Sequence, residues 1–174
     1  MFDLCKIRVV TPDDLLLILE WRNHPQIRQF MFTQHEISLD EHQNWFMKAS
    51  QDLTRRLLIV EEAQQPIGYV QFSNAVRGGV ADWGFYVNPD APKGTGCKLG
   101  VAALSHGFNA LNLHKVCGQV IGSNLASIVF HKRLGFCQEG VLREQQCIDG
   151  VYHTVFCFGL LADEWQPKLL FQEK

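Results

Sequence analysis

The chain lacks any large excess of charge of one sign. It contains 16 Lys and Arg against 18 Asp and Glu, which gives a formal net charge of −2 and an isoelectric point near 6.4. Proteins that bind nucleic acid normally present a basic surface to the phosphates. The composition therefore indicates no nucleic-acid partner, and any anionic ligand must be bound by a few local groups.

Long apolar runs are also missing. No segment approaches the roughly 18 uninterrupted apolar residues of a membrane span, and the N-terminal sequence MFDLCKIRVV has no cationic start followed by an apolar stretch. We therefore expect a cytoplasmic protein with no membrane partner. Hydrophobic residues make up 47% of the 174 residues, enough for a sizeable core. We expect one domain at residues 1–165 and a loosely held tail at 166–174.

The six cysteines form no C-x-x-C pair and no cluster with histidine. This spacing argues against a zinc site, so no metal is expected. Without an export signal, disulfides are not expected either. We predict that all the cysteines except Cys97 pack in the core as small hydrophobic side chains.

The hydrophobic pattern predicts alternating strands and helices. Ser38 to Glu41 matches a capping box at a helix start, and Asp149-Gly150 favours a two-residue hairpin turn. This order predicts a mixed sheet with helices on both faces. The predicted strands are 5–10, 57–60, 67–72, 80–87, 115–121, 136–147 and 151–160, and the predicted helices are 11–21, 27–31, 38–49, 97–111 and 127–134.

The most informative segment follows the strand predicted at 80–87. Its sequence, NPDAPKGTGCKLG, is broken by glycines and then opens into a helix. Gly94 and Gly96 let the backbone approach a ligand closely, and the first amides of a helix favour a phosphate or pyrophosphate. The segment matches neither the dinucleotide-binding pattern nor the Walker pattern. Taken alone, the segment favours a tight turn that binds nothing.

A second segment supports the ligand-binding interpretation. Residues 124–136, NLASIVFHKRLGF, resemble the N-x-x-S-x-x-x-Y-x-K-x-G-F motif of the Gcn5-related N-acetyltransferases. In that superfamily, the backbone amides of a Q/R-x-x-G-x-G/A loop bind the pyrophosphate of acetyl-CoA. Here Ala91 stands at the Gln or Arg position, so any cation near the phosphates must come from Lys93 or Lys98.

The resemblance implies the α/β fold of that superfamily. Its central sheet is mixed and mostly antiparallel, with helices on both faces, and a splayed strand pair, here around Val87 and Val120, holds the pantetheine arm. Acetyl-CoA is then the co-substrate, and an amine attacks the thioester directly without a metal. The residues expected to bind acetyl-CoA are Val87, Lys93, Gly94, Thr95, Gly96, Cys97, Lys98, Asn124, Ser127, Phe130 and Arg133.

Two residues are predicted to move protons. Relatives commonly use the Tyr of the second motif as general acid, and this position is His131, whose imidazole can donate a proton near neutral pH. The alternative is a partly exposed helix histidine without a catalytic role. Asp82, two residues before Gly84, is the predicted general base, because relatives often carry Glu there. The alternative is a carboxylate that only orders water or a neighbouring loop.

A narrower resemblance concerns the acceptor. Residues 20–31, EWRNHPQIRQFM, and 37–42, ISLDEH, are similar to the signature of the pseudaminic acid pathway N-acetyltransferases, which acetylate the 4-amino group of a UDP-linked 4-amino-4,6-dideoxy sugar. Arg22 suits a diphosphate because its guanidinium is a forked, charged donor. A structural arginine that ties the first helix to the next segment is the alternative. The implied nucleotide-sugar contacts are Arg22, Met31, His42, Ser73, Asn74 and Tyr86.

Two rival functions stay open at the level of sequence. A ribosomal-protein or peptide N-terminal acetyltransferase would share both acetyl-CoA motifs. A non-catalytic acyl-CoA sensor would keep the binding loop but lack an acid and a base. The oligomeric state is also open, with a homodimer as one option.

Overall fold

The computed structural model describes residues 5–167; most of the predicted tail, residues 168–174, lies outside the described residues. Within this range, a seven-stranded sheet has the order β1-β2-β3-β4-β5-β7-β6. The strands are β1 (Lys6–Val9), β2 (Arg56–Glu62), β3 (Gln65–Ser73), β4 (Val80–Val87), β5 (Lys115–Ile121), β6 (Cys137–Ile148) and β7 (Val151–Leu161). The α-helices are α1 (Leu15–Asn23), α2 (Pro25–Arg28), α3 (Leu39–Gln51), α4 (Thr95–Ser105) and α5 (Leu125–Arg133).

Side-chain alternation along the strands builds a core on each face of the sheet. In β2, Leu57 and Ile59 pack with α1 and α3, whereas Leu58 and Val60 pack on the other face with α4 and α5. This is the period of two that a strand buried on both faces requires. Helices from different parts of the chain are therefore fixed on opposite sides of the same strands.

The strands β4 and β5 are parallel and are paired only at one end. Their register runs from Val80 opposite Lys115 to Asp82 opposite Cys117. Beyond this point β4 continues along β3, and β5 continues along β7. The two strands therefore separate, and the backbone edges that face each other across the gap do not pair.

Most predicted elements agree with the structure, and the differences occur at helix ends. The short helix predicted at 27–31 is α2, which begins at Pro25, because proline is tolerated in the first turn and His24 Nδ1 accepts a hydrogen bond from Gln26 N at 3.3 Å. The helix predicted at 97–111 begins at Thr95 and ends in a π-helical turn at His106–Ala110. The Asp149-Gly150 hairpin is confirmed, with φ of 48° and 78°.

The core location predicted for the cysteines is wrong for Cys137 and Cys147, which are exposed. Both lie on β6, the edge strand of the sheet, whose side chains are mostly exposed. Within residues 5–167, no helix has the length and apolar character needed to span a membrane. The same residues contain no cluster of three His, Cys, Asp or Glu side chains suited to a metal ion.

Candidate active site

The glycine loop leads into α4 beside the open end of the gap. Gly94 has φ of 94°, a left-handed conformation that glycine adopts without strain. Thr95 is buried, and its hydroxyl donates to the Pro92 carbonyl at 2.8 Å, which fixes the turn. A Cβ placed on Gly96 would lie 3.8 Å from Val87 Cγ2. The first turn of α4 and the end of β4 are thus neighbours, as a site for a pyrophosphate and its pantetheine arm requires.

The two predicted phosphate cations have different surroundings. Lys98 Nζ contacts Glu62 Oε1 at the end of β2, so its charge is already balanced. Lys93 is exposed in the loop before Gly94. Lys93 is therefore the better placed of the two to attract an anionic coenzyme.

Some of the α5 residues that are predicted to bind the coenzyme also stabilise the fold. Asn124 Oδ1 accepts a hydrogen bond from Ser127 N at 3.1 Å and caps the helix. Phe130 packs against Phe85 of β4, with ring centroids 5.0 Å apart. Arg133 is exposed near the end of the helix. Coenzyme binding by these residues stays a prediction.

His131 lies in the protein interior, and only 2% of its surface is exposed. Its Nδ1 donates to the Ser127 carbonyl at 2.8 Å, and its Nε2 accepts a hydrogen bond from the indole N–H of Trp83 at 3.2 Å. This tautomer is assigned from its partners, since a carbonyl only accepts and an indole only donates. Burial lowers the pKa of His131, which favours the neutral ring.

A glycine on β5 makes room for this contact. A Cβ on Gly118 would lie 2.7 Å from His131 Nε2 and 2.8 Å from Trp83 Nε1. The partly exposed histidine considered as the alternative is not what the structure contains. The geometry does not support the predicted general acid either, because the one ring proton of His131 is directed at a backbone carbonyl.

A pocket of about 380 Å³ lies on the opposite face of β4, between the sheet and the segment from α1 to α3. This volume is within the range of roughly 300–1,000 Å³ seen for small-molecule sites. Since β4 borders both the gap and the pocket, a thioester in the gap would lie next to a ligand in the pocket. The polar lining residues are Arg22, Thr33, Glu41, His42, Gln71 and Tyr86, and the other aromatic ones are Trp45, Tyr69 and Phe85.

Arg22 contributes a half-buried, incompletely bonded cation to this pocket. Its NH2 group donates to the Thr33 carbonyl at 2.7 Å, which ties α1 to the segment before α3. Its NH1 group is buried and has no hydrogen-bond partner among the described residues. Burial lowers the pKa of Arg22, but a guanidinium stays charged at neutral pH. Arg22 therefore makes the contact expected of a structural arginine, and its NH1 group is an unpartnered donor that could bind a diphosphate.

His42 is 4% exposed and stacks on Trp45, with ring centroids 5.1 Å apart. One side of the ring is hydrogen-bonded to the backbone of Leu15 on α1. Its Nε2 is buried without a partner among residues 5–167. Burial lowers the pKa of His42, and the charge of Arg22 lowers it further. His42 is therefore a neutral imidazole with an unused nitrogen.

The structure separates the six predicted acceptor contacts into two groups. Arg22, Met31, His42 and Tyr86 line the pocket. Ser73 and Asn74 lie at the other end of the β3–β4 pair, where Ser73 is opposite Asp82 and Asn74 Nδ2 donates to Asp82 Oδ2 at 3.3 Å. Asp82, the predicted base, is the last β4 residue that pairs with β5, at the closed end of the gap.

Several pocket residues were not predicted from the sequence. Tyr69 and Gln71 alternate on β3, where they lie opposite Tyr86 and Gly84, and the Tyr69 hydroxyl donates to Gln71 Oε1 at 3.0 Å. Trp45 follows His42 by one helical turn. Strand alternation and the three-residue helical spacing were visible signals, but only the fold shows that they converge.

The sequence and the fold of this chain are similar to those of known proteins. The acetyltransferase (GNAT) domain family matches residues 5–137. The chain belongs to this family. A structure of spermidine N-acetyltransferase from Vibrio cholerae, in complex with CoA and spermine, has a TM-score of 0.83 and 29% identity, and the match covers 92% of this chain and 97% of that chain.

Two acetyltransferases with similar sequences agree with this family assignment. Acetyltransferase PseH of Campylobacter jejuni is 30% identical over 139 residues, covering 80% of this chain and 83% of that protein. Spermidine N(1)-acetyltransferase of Vibrio cholerae is 30% identical over 153 residues, covering 86% and 88%. The chain is thus an acetyl-CoA-dependent N-acetyltransferase, and the predicted fold, enzyme class and superfamily resemblance are confirmed. The acyl-CoA sensor is set aside.

Proposed function

We propose that this GNAT enzyme acetylates the 4-amino group of a UDP-linked 4-amino-4,6-dideoxy sugar, in the pseudaminic acid pathway that serves flagellin glycosylation. The observation that carries the proposal is the buried, unpartnered NH1 of Arg22 in the pocket beside the gap. A buried donor without an acceptor costs about 1–3 kcal/mol. A diphosphate would remove that cost, because guanidinium and phosphate form strong charge-assisted hydrogen bonds.

The rest of the pocket suits a nucleotide sugar. Trp45, Tyr69 and Tyr86 supply flat aromatic surfaces for a base or a sugar ring. Gln71 and Thr33 add polar groups that can fix the orientation of the ligand. The similarity to acetyltransferase PseH is consistent with the N-terminal signature at 20–31 and 37–42.

A polyamine is the second candidate acceptor, because the spermidine acetyltransferase of Vibrio cholerae is as similar to this chain as PseH is. A polycation requires carboxylates along its binding site. The only carboxylate that lines the described pocket is Glu41, and it lies 3.0 Å from His35 Nε2. The positive charge of Arg22 would repel a polyamine. The charge of the pocket therefore favours the nucleotide sugar.

The reaction requires the acetyl thioester and the amine to meet across β4. The coenzyme would lie in the gap, with its pyrophosphate at Gly94 to Gly96 and Lys93 nearby. Amide groups on the free edge of β4 can hydrogen-bond the thioester carbonyl and stabilise the oxyanion that forms on attack. The sugar amine would approach from the pocket, where Gly84 and Phe85 form the wall that is shared with the gap.

The test is an acceptor panel with the purified enzyme and acetyl-CoA. The acceptors are UDP-4-amino-4,6-dideoxy-N-acetyl-β-L-altrosamine, spermidine and a ribosomal-protein N-terminal peptide, and free thiol and product mass are measured. We expect the nucleotide sugar to be acetylated once, at the 4-amino group. The same sugar with that amine already acetylated is the control and should release no thiol. Efficient acetylation of spermidine or peptide, with the nucleotide sugar unchanged, would overturn the proposal.

A further inference from the structure

The two buried histidines among the described residues differ in whether both of their ring nitrogens have hydrogen-bond partners. Both nitrogens of His131 are hydrogen-bonded, to Ser127 and to Trp83. His42 has one bonded side, toward the Leu15 backbone, and an unpartnered Nε2. His42 also lines the pocket, whereas His131 does not. The histidine with an unpartnered nitrogen is therefore the one that lines the pocket.

The contact with Leu15 fixes the tautomer of His42. A backbone carbonyl only accepts, and Nε2 has no partner among the described residues, so we assign the proton to Nδ1 and the lone pair to Nε2. Stacking on Trp45 holds the plane of the ring. A neutral imidazole oriented by a backbone acceptor on one nitrogen, with a lone pair on the other, is the arrangement of a general base.

We propose that His42 is the general base that takes a proton from the acceptor ammonium. The inference rests on the proposed function, in which the sugar amine enters this pocket. Asp82, the base predicted from the sequence, is bonded to Asn74 and does not line the pocket. His42 thus replaces Asp82 in this role.

The proton and electron balance is complete with groups already named. The Nε2 lone pair of His42 takes one proton from the ammonium and leaves a neutral amine. The nitrogen lone pair then attacks the thioester carbonyl carbon, so a C–N bond forms and the C–S bond breaks, with its electron pair on sulfur. The coenzyme thiolate takes a second proton from the nitrogen to become the thiol. His42 finally releases its proton to solvent.

The charges around His42 suit a base that works near neutral pH. Arg22 on α1 is the cation whose charge acts on it, Tyr69 and Tyr86 of the sheet line the same pocket, and Glu41 on the same helix is bonded to His35. The cation keeps His42 unprotonated before the substrate arrives. It also favours the neutral form of the nearby amine, which eases the proton transfer.

The test compares His42→Gln with His114→Gln, a matched substitution at an exposed site before β5. General bases contribute about 10²–10⁴-fold, so His42→Gln should lower kcat by that factor, while KM for the acceptor stays close to the wild-type value. The wild-type rate should rise with pH in two steps. One step is the deprotonation of the His42 imidazole, at a pH below its ordinary pKa of about 6.5, and the other is the deprotonation of the acceptor ammonium. His42→Gln should keep only the second rise, and added imidazole should restore part of the rate. His114→Gln should behave as wild type.

Contrary results separate this inference from the proposed function. If His42→Gln raises KM with kcat and both pH rises unchanged, His42 only binds the acceptor and the inference fails. If the wild-type enzyme does not acetylate the nucleotide sugar, the proposed function fails, and the same variants are then measured with whichever amine of the panel is acetylated. Thermal melting of His42→Gln identifies a folding defect. In that case ¹⁵N NMR of the wild-type ring decides, because a proton on Nε2 at pH 7 would overturn the inference.

Discussion

At the scale of single residues, position 131 separates this chain from the motif that it resembles. Histidine replaces the usual tyrosine, and the structure turns it inward to accept a hydrogen bond from Trp83. Motif position alone suggested an acid, because a sequence does not show which way a helix residue points. The near-complete burial of His131 could be anticipated only from the packing of α5 against β4 and β5.

His131→Phe should therefore act on stability more than on chemistry. It leaves the buried Trp83 N–H without an acceptor, so the free energy of unfolding should fall by about 1–3 kcal/mol, measured by urea denaturation. Turnover per folded molecule should fall by less than about tenfold. A loss of about 10²-fold or more, the size expected for a general acid, with unchanged stability would restore the catalytic assignment.

Arg22→Lys tests the nucleotide contact. Lysine keeps the charge but cannot bond Thr33 and a phosphate at the same time through a planar fork. We expect KM for the nucleotide sugar to rise about tenfold or more, equal to 1.4 kcal/mol, with a smaller change in kcat. Arg77→Lys, at an exposed site outside the pocket, is the matched control. An unchanged KM in Arg22→Lys would exclude a diphosphate contact.

At the scale of elements, local sequence chemistry predicted the strands and most helix starts. Asp149-Gly150 specified the β6–β7 hairpin, and Ser38 specified the start of α3, where its Oγ accepts from Glu41 N at 3.2 Å. The separation of β4 and β5 has no local signal and was expected only from the family resemblance. The pocket was also invisible, because it requires α1, α3, β3 and β4 to meet in space.

Two glycines of the loop test backbone strain and ligand approach separately. Gly94→Ala forces a Cβ into a left-handed conformation, which costs about 1–2 kcal/mol, so stability should fall. A Cβ on Gly96 has only ordinary contacts at 3.8 Å, so Gly96→Ala should melt like wild type and yet bind CoA about tenfold more weakly, or 1.4 kcal/mol, by calorimetry. Wild-type CoA affinity in Gly96→Ala would contradict the pyrophosphate site.

The start of α1 provides a pH-dependent prediction. Asp14 accepts hydrogen bonds from Arg8 at 2.7 and 2.8 Å and from Thr11 N at 2.8 Å. Chiefly through the Arg8 hydrogen bonds, its pKa is held below 3.8. The stabilisation is thus present above that value and is lost as pH falls through the lower folded pKa. Asp14→Asn should cost about 1–3 kcal/mol at pH 7, and the difference from wild type should shrink below pH 3.8. A difference independent of pH would contradict this.

At the scale of the whole molecule, β4 divides the site. Its end and its free edge face the gap, where the glycine loop and α4 lie, and its Gly84–Tyr86 segment faces the pocket built by α1 and α3. Each half has its own core on its own face of the sheet. Coenzyme and acceptor can therefore approach from different sides and meet at one strand.

The most direct test of this arrangement is the crystal structure of the enzyme with CoA and the UDP amino sugar bound together. We expect the CoA pyrophosphate at the amides of residues 94–96 and the pantetheine arm between β4 and β5. We expect the sugar in the pocket, with its diphosphate bonded to Arg22 NH1 and its 4-amino group between His42 Nε2 and the CoA sulfur. A nucleotide bound outside this pocket, or a diphosphate away from Arg22, would contradict this arrangement.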